Sequence, residues 1–567
     1  MTKQTNTYNR RSLMQAGLAG VSLASMPAPL FASSEPEREA DVVIIGGGLG
    51  GCAAAMAALR NGLKVVMTEP TDWIGGQLTS QAVPPDEHAR IETAGANQSY
   101  RTFRSQVRQY YRDHYPLTDA ARANPRLNPG NGNVSKLCTE PRVALTVLEQ
   151  WLMPYEQSGQ LVVLRNHVPT AADVDGDRVS AVSVRSVETG DAAVLRGKYF
   201  IDASELGDLL PLTNTEFITG AEAQSETNEM HAAAVADPNN QQAFTVCFAI
   251  DHLAGENHTI DRPEEYSFWR DYVPQMTPPW PGKLLDFTYT HPPTGVPKKL
   301  GFDPAGGKSV DGALNLWTYR RIIDASLFAP GHFAGDISLI NWPQNDYLLG
   351  NLVGVSEQQA AQHVARAKQL SLSLLYWLQT EAPRPDGGTG FPGLRLRRDL
   401  VGTEDGLAKA PYVRESRRIR AEFTVLEEHV GREQRAAVSG ESIKKVKAAR
   451  FDDSVGVGSY PIDLHPSTGG DNYIDFASLQ FQVPLGALLP VRMRNLIPAC
   501  KNIGTTHVTN GCYRLQPVEW GIGEAAGALV AHAMQTNQTP HAIRATPQRL
   551  ADFQNQIRKQ GMETEWT

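Results

Sequence analysis

Residues 41–69 restrict this chain most. Asp41-Val42-Val43-Ile44-Ile45 is a β-branched run suited to a buried strand. Gly46-Gly47-Gly48-Leu49-Gly50-Gly51 follows, and then the alanine-rich stretch Cys52–Leu59 reads as a helix. Asn61-Gly62 ends that helix, Lys64–Thr68 forms a second strand, and Glu69 stands 21 residues after Gly48. In such a unit Gly46 permits the tight turn, Gly48 lets backbone approach a diphosphate, and Gly51 allows close packing of helix on strand. The amides at Leu49 and beyond then present free N–H groups and the positive end of the helix dipole. A carboxylate at Glu69 can accept hydrogen bonds from ribose hydroxyls. The expected fold is α/β, with a Rossmann-like dinucleotide-binding domain at its centre.

The chain has 567 residues, of which 41% are hydrophobic, enough for a large core and for two intertwined or sequential domains. Residues 1–33 read as a targeting segment, with Arg10-Arg11-Ser12-Leu13-Met14, a weakly apolar stretch from Ala16 to Ala24, and small residues near Ala32. This resembles a twin-arginine leader, so export in the folded state to the periplasm or beyond is the expectation. Losing Lys3, Arg10 and Arg11 with the leader would take the formal charge from -8 to -11. That balance argues against nucleic acid or an anionic membrane as partner. After the leader there is no apolar run long enough for stable membrane insertion. The five cysteines show neither CxxC nor a His/Cys metal spacing, and Cys52 and Cys500 read as small packed residues.

The glycine unit by itself serves NAD as well as FAD. Trp73-Ile74-Gly75-Gly76-Gln77-Leu78-Thr79-Ser80 follows the ribose acid directly. Leu161–Arg165, Arg178–Arg185, Ala193–Gly197 and Lys198–Ser204 alternate as short strands around the turn Asp175-Gly176-Asp177. Near the other end, Asn495–Cys500 is a short apolar strand leading into Lys501-Asn502-Ile503-Gly504-Thr505-Thr506-His507. A helix then opens at Gln516 and runs through Gly521 and Gly523 to about Gln535. Its amino terminus could stabilise charge on a reduced cofactor, or its glycines could serve as a packing face.

In this order the motifs resemble the FAD-dependent oxidoreductases with a glutathione reductase-type FAD domain, in the FAD_oxidored family, some of whose members carry a xanthan-lyase label. The resemblance rests on Gly46–Gly51, Trp73–Thr79, Ile201-Asp202-Ala203-Ser204 with Gly207-Asp208, Arg414–Arg418, and Ile503–His507 leading to Gly521-Ile522-Gly523. It implies non-covalent FAD held by Gly46, Gly48, Leu49, Gly51, Glu69, Gly75, Gly76, Gln77, Gly504, Gly521 and Gly523, and no metal. Ser204-Glu205-Leu206 stands where many members have Thr-Gly-Asp. The implied organisation is an FAD-binding domain from 40–211 and 451–545, an inserted α+β cap or substrate domain at 212–450, and a tail at 546–567.

Three stretches carry chemistry beyond the cofactor. Asn341–Tyr347 is a polar loop with aromatic flanks that either lines a pocket or turns the chain. Tyr412–Arg418 gathers three guanidiniums, and Arg414 and Arg418 share a face if the segment is helical. These arginines either orient a substrate or steady a reduced flavin, or they form salt bridges with Glu415, Glu422 and Glu427. In Tyr460–Pro466, His465 is the first choice for a base and His507 the second, with a structural role open for each. Trp269, Trp280, Trp317, Trp342 and Trp377 are core residues or stacking surfaces.

The leading expectation is an exported enzyme that oxidises a small polar substrate, a sugar, alcohol or amine, by hydride transfer to flavin N5. Electrons would then pass to oxygen or a respiratory carrier. A lyase or hydrolase using transient flavin redox, and a non-catalytic flavin-binding protein, are the alternatives. No second glycine fingerprint for NAD(P)H is present, which disfavours the disulfide reductases and flavin monooxygenases.

Overall fold

A computed structural model describes residues 36–566, so the leader expectation lies outside the described residues. The principal sheet begins with β1 (Glu37–Ile45), whose Val42, Val43, Ile44 and Ile45 are at most 1% exposed. Burying each such side chain contributes roughly 1.5–3 kcal/mol, which places this strand at the centre of the sheet. After the glycine turn come α1 (Leu49–Arg60), β2 (Val65–Glu69), α2 (Gln98–His114) and α3 (Pro141–Gln157). The sheet is completed by β3 (Leu161–Arg165), β4 (His167–Asp175), β5 (Arg178–Ser186) and β6 (Ala192–Asp202).

Strand order is β3-β2-β1-β6-β5-β4; the first four strands run parallel, and β4, β5 and β6 form an antiparallel meander. The expected strands Ala193–Gly197 and Lys198–Ser204 are one continuous strand. Gly197 is a close-approach position there, not a break, because a methyl group on it would lie 3.0 Å from the Val43 side chain.

A second sheet is drawn from β7 (Phe248–His252), β8 (Arg321–Ile323), β9 (Ile337–Ile340) and β10 (Leu394–Leu396). It packs with α4 (Glu357–Thr380) around a second hydrophobic cluster that takes in Trp269, Trp280, Trp317, Trp342 and Trp377. Further on, β11 (Ile462–Leu464) and β12 (Ile474–Phe476) form an antiparallel pair with Asp463 directly opposite Asp475.

The chain then returns to the principal sheet. β13 (Leu496–Pro498) pairs in parallel with Phe200–Asp202 of β6. The helices α5 (His507–Tyr513) and α6 (Gln516–Thr536) follow. α6 lies against α1 at backbone contact distance: a methyl group on Gly523 would sit 2.1 Å from the Gly50 carbonyl oxygen, and one on Gly527 2.2 Å from that of Ala54. Among the described residues no helix is long and apolar enough to cross a membrane.

Candidate cofactor and active site

The glycine turn is built as its sequence requires. Gly46 has φ +99, and a methyl group there would collide with the Ala203 carbonyl at 2.4 Å. A methyl on Gly51 would lie 2.0 Å from the Gly46 oxygen, which explains the tight seating of α1 on β1. Gly48 differs. Its backbone is extended (φ -61, ψ -171), and a methyl there would touch only the Glu205 carboxylate within 3.0 Å. The second glycine loop lies across this turn: the Gly75 N–H donates to the Gly47 carbonyl at 2.7 Å, and a methyl on Gly76 would stand 3.0 Å from the Gly48 Cα.

Glu69 ends β2 beside the turn and accepts from the Thr71 N–H at 3.0 Å and the Thr71 hydroxyl at 2.8 Å. Burial pushes its carboxyl up to about 8, although the Thr71 hydrogen bonds work the other way. Glu519, from α6, accepts from the Gly50 N–H at 3.2 Å and from the Gln77 side-chain amide. Burial raises its carboxyl to about 7 against the pull of Lys501.

These residues fit an adenine dinucleotide. The open face of Gly48, the N-terminus of α1 and Glu69 stand together, and buried Gln77 Oε1 and Gln81 Oε1 have no partner among the described residues. Gly46, Gly48, Leu49, Gly51, Glu69, Gly75, Gly76 and Gln77 form this cradle. Glu205, paired with the buried Lys501, places its unpartnered Oε1 at the mouth of the turn and works against an anion there unless its side chain turns aside. Gly504 and Gly523 are packing glycines: methyl groups there would meet Ala421 at 2.5 Å and Gly50 at 2.1 Å. Gly521 lies within α6, and a methyl there would reach only Asn97, 4.0 Å away.

Gln77 leads from the cradle to a cavity. Its amide donates to the Arg514 carbonyl at 3.0 Å, and the Arg514 side chain lines a space of about 270 Å³ walled by tyrosines, arginines, aspartates and His465. His465 Nδ1 lies 2.6 Å from Asp346 Oδ2, and its Nε2 lies 3.5 Å from Asp463. With Nδ1 directed at Asp346, Nε2 is the ring nitrogen that faces Asp463. Asp346 is itself held by Arg414 at 3.0 Å. Burial would raise the Asp346 carboxyl, but Arg414 and His465 keep it below the ordinary range. Asp463 is likewise held low against burial by His465 and Arg514, the latter 3.2 Å away.

Segment 412–418 is not helical, so Arg414 and Arg418 do not share a helical face. Arg418 belongs to a two-residue strand beside Phe217–Ile218 and turns away, to Glu222 at 2.9 Å and the Gly220 carbonyl at 2.6 Å. Arg414 lines the cavity. Asn341–Tyr347 is almost wholly buried, sending Asn341, Trp342 and Pro343 to the cavity wall and Asp346 to His465. His507 is buried elsewhere, its Nδ1 2.5 Å from Glu415, which keeps the ring's affinity for a proton above normal despite burial. It does not line the cavity.

Sequence reasoning missed Asp346 as the partner of His465, and also Arg320, Asp86 and Arg514.

A parallel sheet with a glycine turn entering a helix, an acid at the end of the second strand and a second chain segment closing the same sheet define a Rossmann-like dinucleotide-binding protein. The chain matches the family described as FAD dependent oxidoreductase over residues 41–557. It belongs to that family of enzymes, and FAD is its cofactor. The chain is 38% identical over 76 residues to N,N-dimethylglycine/sarcosine dehydrogenase of Chromohalobacter salexigens, a stretch covering 13% of this chain and 10% of that relative. The chain thus spans about a tenth of the length of the curated relative it matches. Among solved structures, a geranylgeranyl bacteriochlorophyll reductase-like protein of Thermoplasma acidophilum is similar over 93% of this chain and 85% of its own, at 10% identity and TM-score 0.28. The glycerol-3-phosphate dehydrogenase of Bacillus halodurans, complexed with FAD, is similar over 38% of this chain and 40% of its own, at 13% identity and TM-score 0.22.

Proposed function

We propose that this enzyme oxidises a small polar substrate in the cavity beside His465. FAD, when bound, supplies a hydride acceptor at its N5. The protein's part is the accompanying proton: His465 Nε2 takes it from the substrate heteroatom, Asp346 fixes the ring through Nδ1, and Asp463 stabilises the cation that results. The observation that carries this reading is the histidine between two carboxylates in the wall of a cavity joined to the glycine cradle through Gln77 and Arg514. Residues 212–450 act in this reading as the substrate cap, oxygen or a respiratory carrier takes the electrons, and the Arg10-Arg11 leader supports export in the folded state.

The test is anaerobic bleaching of the purified yellow protein against sugars, alcohols, amines and hydroxy acids, repeated with His465→Ala. The substrate that bleaches the wild type is expected to reduce the variant about 10²-fold or more slowly. An unchanged rate removes His465 as base.

A further inference from the structure

Each of the three arginines in the cavity wall is answered by an aspartate. Arg320 is answered by Asp86 at 3.3 Å, Arg414 by Asp346 at 3.0 Å, and Arg514 by Asp463 at 3.2 Å. Asp475 lines the same cavity and has neither a hydrogen bond to its carboxylate nor an ion pair among the described residues. It also lies directly opposite Asp463 across an antiparallel strand pair, an arrangement in which like charges repel. Burial, and then Asp463, push its carboxyl up to about 6, with His465 opposing. His291, the other histidine of the wall, is engaged with the Thr294 hydroxyl at 2.8 Å and, through burial, holds a proton less readily than usual.

The surroundings of Asp475 suit a cation. Tyr289 and Tyr473 both line the cavity and meet edge to face at 6.1 Å, and aromatic faces beside a carboxylate attract ammonium groups. A second observation points to the other end of a ligand. Asn341 and Trp342 are 4% and 2% exposed, yet Asn341 Nδ2 and Trp342 Nε1 find no acceptor among the described residues. Leaving such donors buried and unmatched is unfavourable, and a ligand oxygen would relieve it.

We propose that the substrate is a small amine that also carries an acceptor oxygen, with Asp475 binding its ammonium group and Asn341 and Trp342 receiving the oxygen. This rests on the reading of the cavity as the substrate site. Asp475 then selects amines over alcohols of the same size, because an ammonium group, unlike a hydroxyl, offsets the repulsion between Asp463 and Asp475.

The test uses the FAD-loaded protein, with ethanolamine as probe and ethylene glycol as its uncharged counterpart, titrated at pH 7 by calorimetry and by perturbation of the flavin spectrum. Ethanolamine is expected to bind at least about tenfold more tightly than ethylene glycol, and D475N to abolish that preference. D475N relieves a repulsion, so its melting temperature should not fall. Equal affinity for the two probes, no binding of ethanolamine, or a preference that survives in D475N overturns the proposal. A D475N protein unable to retain FAD overturns it too, by assigning Asp475 to the cofactor. A wild-type protein that binds ethanolamine yet is bleached by no donor counts against the oxidoreductase reading alone.

Discussion

Two alanine substitutions one helical turn apart should separate the work of folding from that of holding the cofactor. In Gly51→Ala the new methyl lies 2.0 Å from the Gly46 carbonyl oxygen and 3.2 Å from Ala203 Cβ, so helix and strand must part by more than an ångström. Overpacking of this kind costs about 1–3 kcal/mol, here against backbone that cannot rotate away. In Gly48→Ala the backbone is already extended, and the nearest contact, at 3.0 Å, is the carboxylate tip of Glu205, a side chain 24% exposed that can rotate. Its cost to the apoprotein is therefore within about 0.5 kcal/mol. The same methyl stands where the diphosphate must approach. If it breaks two hydrogen bonds to a charged group, each worth about 1.5–3 kcal/mol, affinity for FAD falls by about 10²-fold or more. Urea unfolding of the apoproteins, followed by circular dichroism, and FAD titration by fluorescence quenching measure the two effects. The reasoning fails if Gly48→Ala binds FAD within about threefold of wild type, or if Gly51→Ala unfolds at the wild-type urea concentration.

Other outcomes follow from the buried carboxylates. Glu69 has an ordinary value of 4.5 and is raised to about 8 by burial, so between those values the folded chain binds this proton more tightly than the unfolded one. Stability of the apoprotein should accordingly fall as pH rises across that window; Glu69→Gln should flatten the slope in urea melts at several pH values while weakening FAD binding. Asp202 and Glu519, both raised to about 7 chiefly by burial, will keep part of the slope in place. Asp346→Asn leaves the buried Arg414 without its counter-charge, which should cost about 3–5 kcal/mol in a thermal melt and, by freeing His465, slow flavin reduction.

The cofactor cradle was legible because its signals are local: β-branched run, glycines, alanine-rich helix and acid all lie within 29 residues of one another. The cavity was not, because its pairs are distant in the chain. Asp346 and His465 are 119 positions apart, and Arg320 and Asp86 234. No spacing rule joins residues that only tertiary packing brings together. Gly197 misled because glycine marks both strand breaks and close approaches, and it was the partner strand, through Val43, that decided which. The shared face of Arg414 and Arg418 depended on a helix, and the segment is not one: Arg418 and Ile419 pair instead with Phe217–Ile218.

The closing of the principal sheet by Leu496–Pro498, and the seating of Gln516–Thr536 on Leu49–Arg60, have a consequence for biosynthesis. The ribosome emits the glycine turn long before its opposite wall. At roughly 5–20 residues per second, the nascent polypeptide carries a half-built nucleotide groove, its apolar helix face uncovered, for roughly half a minute to a minute and a half. Capture of the flavin thus belongs to the finished polypeptide, and the interval before it is when this protein most needs shielding by chaperones.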